Sequence, residues 1–255
     1  MKKNILAVDI GNTSIAMGIF KGNSLFKKFS IPTNTKKSKI YPAIKKELAF
    51  LDIEAVIISS VVPNLSSCIL GIFKNRLRIN TFLVGRDIAV PVRNLYKKPK
   101  QVGQDRLVNA YACLKLYGAP AIIIDFGTAT TFDYLNARGA YAGGLITPGV
   151  SISLDALAKR TALLPKIELK RPMSLLGKDT IDSMRSGVLY GLSSMCDGIV
   201  SRLKDKYSNK AKVVATGGLS SFFAPYCRSI DLIDKDLTLK GLLYIIKVKS
   251  AKKSL

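Results

Sequence analysis

The sequence of 255 residues contains no histidine and no tryptophan. Without histidine, neither a Ser-His-Asp nor a Cys-His relay can be assembled, and no imidazole base exists. Proton handling in an enzyme of this composition falls to Asp, Glu, Lys or Tyr. Cysteine is sparse: Cys68, Cys113, Cys196 and Cys227 lie far apart and form no C-x-x-C pair. They are expected to be reduced, mostly buried thiols, and a zinc site is not expected, since no C-x-x-C pair and no histidine are present. Acidic residues are also scarce, 17 against 40 basic ones, for a formal net charge of +23. A nucleic-acid partner is nevertheless not expected. Lysines (29) outnumber arginines (11) and are scattered along the chain, and no aromatic–basic interleaving marks a binding module. The surplus charge suits the gathering of small anions instead. No apolar run approaches the ~20 residues of a membrane span. The Lys2-Lys3 start imitates a secretory signal, but Asp9, Asn12 and Thr13 interrupt it. A cytoplasmic protein without membrane partners is expected.

What is present is a folded composition, 48% hydrophobic with 22% charged residues, and a phrase that occurs twice. Ile5-Leu-Ala-Val-Asp9-Ile10-Gly11-Asn12-Thr13-Ser14 near the N-terminus is matched by Ala121-Ile-Ile-Ile-Asp125-Phe-Gly127-Thr128-Ala-Thr-Thr131 in the middle. Each copy runs on into a second apolar stretch, so strand, tight turn, strand is predicted. Either copy alone also reads as a buried strand ending in an ordinary Asx/Gly turn. Together they point to phosphate chemistry. A carboxylate at the strand end can hold a hydrated cation, glycine lets backbone approach a phosphate, and hydroxyls and N–H groups donate to its oxygens. Two such hairpins facing each other would form a nucleotide cleft between related domains.

The spacing predicts further strands at Ser24–Ile31, Glu54–Val62 and Thr81–Val84, with helices from the Lys-rich stretch to Phe50 and from Pro63 to Leu77. Pro91–Val102 is a loop, and Gln104–Tyr117 has helical periodicity ending at Gly118. The second half repeats the plan. Its strands are expected at Ala121–Asp125, Thr130–Leu135, Ala140–Ile146 and Lys212–Ala215. Helices are expected after Pro148, over Thr180–Lys206 and after Thr216-Gly-Gly218. This alternation is that of an α/β chain with mixed sheets. The domains are placed at 1–118 and 119–255.

Gly103-Gln104-Asp105-Arg106 lies at a loop-to-helix junction, where Asp105 can simply cap the helix and Arg106 be a surface charge. The same pair meets the needs of phosphoryl transfer. A carboxylate orients and deprotonates an attacking hydroxyl, while an arginine pairs with a carboxylate or phosphate. Gly143-Gly144 and Pro148-Gly149 flank a strand end, where glycines permit close approach of an adenine or ribose or simply tight packing, and packing is the first reading for Gly143. Thr216-Gly217-Gly218 fits tight packing and close ligand approach about equally well.

These residues, end to end, resemble the type III pantothenate kinases of the acetate and sugar kinase/heat-shock ATPase/actin superfamily. The resemblance runs through Asp9-x-Gly-x-Thr13, Tyr96-x-x-Pro99, Gly103-x-Asp-Arg106, Asp125-x-Gly-x-Ala-Thr-Thr-x-Asp133, Gly143-Gly and Thr161-Ala-Leu-Leu-Pro165. It continues through Gly177-x-Asp-Thr180, Thr216-Gly-Gly218 and Leu237-x-Leu-x-Gly-Leu242. Lys98 departs from the family, which often has Asn before the proline; the departure bears on the loop near Tyr96. The resemblance implies two duplicated ribonuclease H-like α/β domains and ATP-dependent phosphorylation of the primary hydroxyl of pantothenate, the first step towards coenzyme A. It implies that Asp9, Ile10, Gly11, Asn12, Thr13, Ser14, Ile15 and Ala16 contact ATP together with Thr128. Asp105 would be the base; Tyr96, Gly103, Gln104, Asp105, Arg106 and Thr180 would line the pantothenate site. Asp125 would hold a monovalent cation. ATP, Mg²⁺ and K⁺ or NH₄⁺ are the implied cofactors, and a homodimer the implied assembly.

For the dimer, the segment Thr180–Lys206 carries Met184, Val188, Gly191, Leu192, Met195 and Ile199 on one helical face, with Gly187, Gly191, Ser194 and Gly198 as small residues. That face suits either a second copy or the chain's own core. Two other functions remain open: a superfamily kinase acting on a sugar or acetate, and a non-catalytic regulatory protein of the same fold.

Overall fold

A computed structural model describes residues 4–252; the Lys2-Lys3 pair lies outside the described residues. Two compact units emerge. The first comprises the chain up to Arg93, Lys97–Lys115 and the segment from Leu237; the second comprises Asn94–Tyr96 and Leu116–Asp236.

In the first unit, β1 (Asn4–Ile10), β2 (Ser14–Lys21) and β3 (Ser24–Pro32) form an antiparallel meander. Strands β4 (Ile53–Ser60) and β5 (Asn80–Leu83) add in parallel beyond β1, giving the order β3-β2-β1-β4-β5. Alternation decides which residue goes to which face. Leu6, Val8 and Ile10 of β1 pack with Ile40 and Ile44 of α1 (Lys37–Glu47) and with Leu65 and Ile69 of α2 (Pro63–Gly71). Ala7 turns the other way, into a core with Val108 and Tyr111 of α3 (Gln104–Tyr117) and with the C-terminal helix Leu237–Lys252. A central strand covered on both faces is a continuous apolar run, as Ala55–Ile58 of β4 shows. The helix expected from Pro63 to Leu77 changes character at its end: Ile72–Arg76 is one π-helical turn, closed by Leu77 N–H donating to the Ile72 carbonyl at 3.0 Å.

The second unit repeats this plan strand for strand. Strands β6 (Ala121–Phe126), β7 (Ala129–Leu135) and β8 (Tyr141–Pro148) are antiparallel, and β9 (Lys212–Thr216) and β10 (Leu232–Ile233) are parallel beyond β6. The repeated phrase therefore corresponds to a repeated topology. On one face Ile122, Ile124 and Phe126 pack with α4 (Val150–Arg160), α5 (Thr180–Tyr207) and Phe223 of α6 (Ser220–Phe223). The helix expected after Gly218 is only this one turn followed by a 3₁₀ turn, Ala224–Tyr226. Pro225 cannot donate to a continuing helix.

The contiguous domain 119–255 needs correction, because the C-terminal helix, α7, belongs to the first unit. Leu239, Leu242, Leu243, Ile245 and Ile246 are buried there, each contributing roughly 1.5–3 kcal/mol of transfer free energy. Gly241 lies so close to α3 that a Cβ on it would sit 2.7 Å from the Val108 carbonyl. Thr238 donates from its hydroxyl to Asn109 Oδ1 at 2.7 Å.

Candidate active site

In the first unit the turn after Asp9 is closed by backbone: Gly11 N–H donates to the Ser14 carbonyl at 3.0 Å. The end of β3 secures it, with Thr33 N–H on the Thr13 carbonyl at 3.0 Å and Thr33 Oγ1–H on the Gly11 carbonyl at 2.8 Å. The result is a rigid tip on which Asn12, Thr13 and Ser14 are exposed. Ile10 and Ile15, expected among the nucleotide contacts, put their side chains into the core; only their backbone can face a ligand. Asp9 is half-buried at the carboxyl end of β1, in register with Ser59 of β4.

Also in this unit, Gly103-Gln104-Asp105-Arg106 enters α3. Asp105 lies in the first turn of α3, and its Oδ1 accepts the N–H of the next residue, Arg106, at 2.8 Å, which is not the bond of an N-cap. The carboxyl is pushed above its ordinary pKa by burial, against the opposing pull of the Arg106 N–H and guanidinium. A Cβ on Gly103 would collide with that carboxylate, which makes glycine a condition for its position. Gly85, at φ +85°, leaves room for Gln104, whose Cδ would be 2.9 Å from a Cβ there. Arg106 is buried rather than a surface charge.

The second unit carries the other expected residues. Asp125 is the last residue but one of β6, in register with Thr131 of β7 and Thr216 of β9, the position that Asp9 holds in β1 between Ala16 and Ser59. Two glycines shape this turn. Gly217, at φ +90°, faces the Asp125 carboxylate and the Phe126 backbone, and Gly149 lies against the Thr128 carbonyl. Thr128 itself is exposed at the tip. Thr180 is the exposed first residue of α5, after Asp179, whose side chain caps the helix by accepting Asp182 N–H at 2.8 Å. It lines a cavity of about 520 Å³ with Leu164, Gly177, Asp179, Ser183 and Met184. Tyr96 is half-buried in the short stretch Asn94–Tyr96, which belongs to this unit although its neighbours in sequence belong to the first.

Thus Asp9–Ala16 and Gly103–Arg106 are carried by one unit, and Tyr96, Asp125, Thr128 and Thr180 by the other. Gly149 and Gly217 show the tight packing that is one of the two readings of their motifs. At Gly143, for which packing is the first reading, φ is +133° and the Tyr96 ring edge lies 4.0 Å from where its Cβ would be.

A family model described as type III pantothenate kinase matches residues 5–202, a span that includes Asp9–Ala16, Tyr96, Gly103–Arg106, Asp125, Thr128 and Thr180. The type III pantothenate kinase of Halalkalibacterium halodurans is 40% identical over 250 residues, covering 95% of this chain and 98% of that protein. The chain belongs to the type III pantothenate kinase family. Among solved structures, a Baf family protein from Campylobacter jejuni superposes with a TM-score of 0.62 at 22% identity, over 96% of this chain and 99% of that one. Component A of the (R)-2-hydroxyglutaryl-CoA dehydratase of Acidaminococcus fermentans superposes with a TM-score of 0.60 at 14% identity, over 97% and 99%. At these identities the likeness speaks for the shared two-unit α/β fold alone.

Proposed function

We propose that this family member transfers the γ-phosphoryl group of ATP to the primary hydroxyl of pantothenate, yielding 4'-phosphopantothenate for coenzyme A synthesis. The observation that carries the reading is the family match, which spans both turns and the Gly103–Arg106 segment. In this reading the Asp9–Ala16 tip donates backbone N–H groups and hydroxyls to phosphate oxygens, and Thr128 supplies a further nucleotide contact. Asp105 takes the proton from the substrate hydroxyl. Burial holds the Asp105 carboxyl above its ordinary pKa, which makes its carboxylate the stronger base. Arg106 balances the pantothenate carboxylate, and Tyr96, Gln104 and Thr180 complete the acceptor site. Catalysis is positioning plus charge stabilisation, with no covalent intermediate.

Among the described residues no group of three or more His, Cys, Asp or Glu could hold a metal ion. Single carboxylates at the two strand ends fit instead a hydrated Mg²⁺ arriving on the nucleotide, at Asp9, and a K⁺ or NH₄⁺ at Asp125. Bound there, such ions would neutralise phosphate charge. We further place the protein in the cytoplasm as a homodimer. All four cysteines are free thiols, and no helix among the described residues is long and apolar enough to cross a membrane. An ATP-coupled assay against pantothenate, sugars and acetate tests the substrate. Turnover of a sugar or acetate in preference to pantothenate, or of none of them, overturns the reading.

A further inference from the structure

Strand β7 carries a carboxylate that the proposed chemistry does not use. Asp133 is fully buried, and its Oδ1 accepts the Tyr141 hydroxyl at 2.8 Å while Oδ2 accepts the Thr131 hydroxyl at 3.3 Å. Withdrawing a carboxylate from water is costly even when it is hydrogen-bonded, and an apolar residue of similar size is usually the more stable choice at such a site. What the acid secures is the orientation of Tyr141, a phenol with no exposure whose one polar atom is held by this bond.

Tyr141 is in turn the platform for the Tyr96 stretch. Leu95 N–H donates to the Tyr141 carbonyl at 2.9 Å, and Asn94 bridges Tyr141 in parallel. Tyr96 N–H is tied to Asn94 Oδ1 at 3.0 Å. The Tyr96 ring rests 6.4 Å, centroid to centroid, from the Tyr141 ring at 45°. Gly143 keeps the space at the ring edge open. Beyond Tyr96 the chain has no regular element before α3 except the 3₁₀ turn Pro99–Gln101, so the place of Tyr96 depends on this platform.

We propose that Asp133 is a positioning residue that acts through Tyr141 to hold the Tyr96 ring as a wall of the pantothenate site. The proposal rests on the reading of Tyr96 as a substrate contact. Loss of one buried hydrogen bond through Tyr141→Phe, or a weaker acceptor through Asp133→Asn, should raise the pantothenate KM about tenfold. In both variants kcat should stay within about twofold and the ATP KM should not move. A purely structural role would lower the melting temperature and the active fraction and leave both KM values alone. Unchanged pantothenate KM in folded Tyr141→Phe protein overturns the proposal, whether or not Asp133→Asn folds.

A second readout needs no substrate. The chain has no tryptophan, so Tyr96→Trp installs a unique fluorophore. Adding Tyr141→Phe should lower its anisotropy and shift its emission to the red; identical spectra overturn the coupling. Wild-type protein that does not turn over pantothenate would instead sink the proposed function, and the fluorescence would still decide whether Asp133 and Tyr141 fix residue 96.

Discussion

The Asp125 carboxylate occupies the space that a side chain on Gly217 would need. Gly217 belongs to the turn after β9, holds φ at +90°, and a Cβ on it would also lie 2.8 Å from the Phe126 backbone nitrogen. Acid and glycine therefore form one steric unit at the ends of two neighbouring parallel strands. Gly217→Ala should cost about 1–3 kcal/mol or more, from backbone strain and the forced shift of Asp125. Thermal melting measures the loss; a variant as stable as wild type would show that the two strand ends are not packed as described.

If Asp125 binds a monovalent cation, activity will require K⁺ or NH₄⁺. A carboxylate near polyphosphate repels it unless a cation intervenes. Rates should be low in buffer containing only Na⁺ and recover on adding K⁺, with Asp125→Ala insensitive to the addition. Equal wild-type rates in Na⁺ and K⁺ would remove the cation role.

Asp105→Asn should reduce turnover by ~10²–10⁴-fold while preserving the fold, since an amide oxygen can still accept the Arg106 N–H. The sign of the pKa shift adds a second expectation. Burial raises the Asp105 carboxyl above its unfolded value, so the neutral form is favoured by folding. Its stabilising contribution is present below the unfolded pKa and lost as pH rises through the folded one. At neutral pH the raised pKa makes the group a net cost to folding, and Asp105→Asn should melt no lower than wild type. The acid limb of kcat/KM should lie above the usual carboxylate range near ~3.9 and disappear in the variant. Near-wild-type turnover in folded Asp105→Asn would rule out Asp105 as the base.

The dimer proposal is sharpened by how α5 lies in its own unit. Met184 is buried, and Val188, Leu192, Met195 and Ile199 are half-buried against the core that contains Leu189, Cys196 and Val200. Most of the expected apolar face is thus already engaged within the subunit. Gly187, Gly191 and Gly198, by contrast, are exposed, with nothing within 4 Å of a Cβ placed on them. With Ser194 they form a strip along which a second helix could approach closely. Gly191→Glu should give monomers of unchanged melting temperature, and light scattering decides it. A variant that remains dimeric, or a wild type that is monomeric, overturns the α5 interface.

Local chemistry carried much of this protein in its sequence. Repeating apolar runs ended by Asp and Gly announced the two hairpins, whose registers close at Ile10–Ile15 and Phe126–Thr130. Helix α3 runs from Gln104 to Tyr117 as its periodicity predicts, stopped by Gly118 at φ +84°. The absence of histidine turned attention to Asp105 as the candidate base. Each of these signals lies within a few residues of the structure it specifies. Tertiary structure decided what depends on distant partners. Helix α7 is apolar on several sides, so nothing along it names its destination until Gly241 meets Val108. Only the pairing of Leu95 with Tyr141 assigns Tyr96 to the second unit, and only the fold brings the Tyr141 phenol to Asp133. A backbone carbonyl, a missing Cβ and a buried carboxylate acquire their roles from what packs against them, and sequence spacing does not record that.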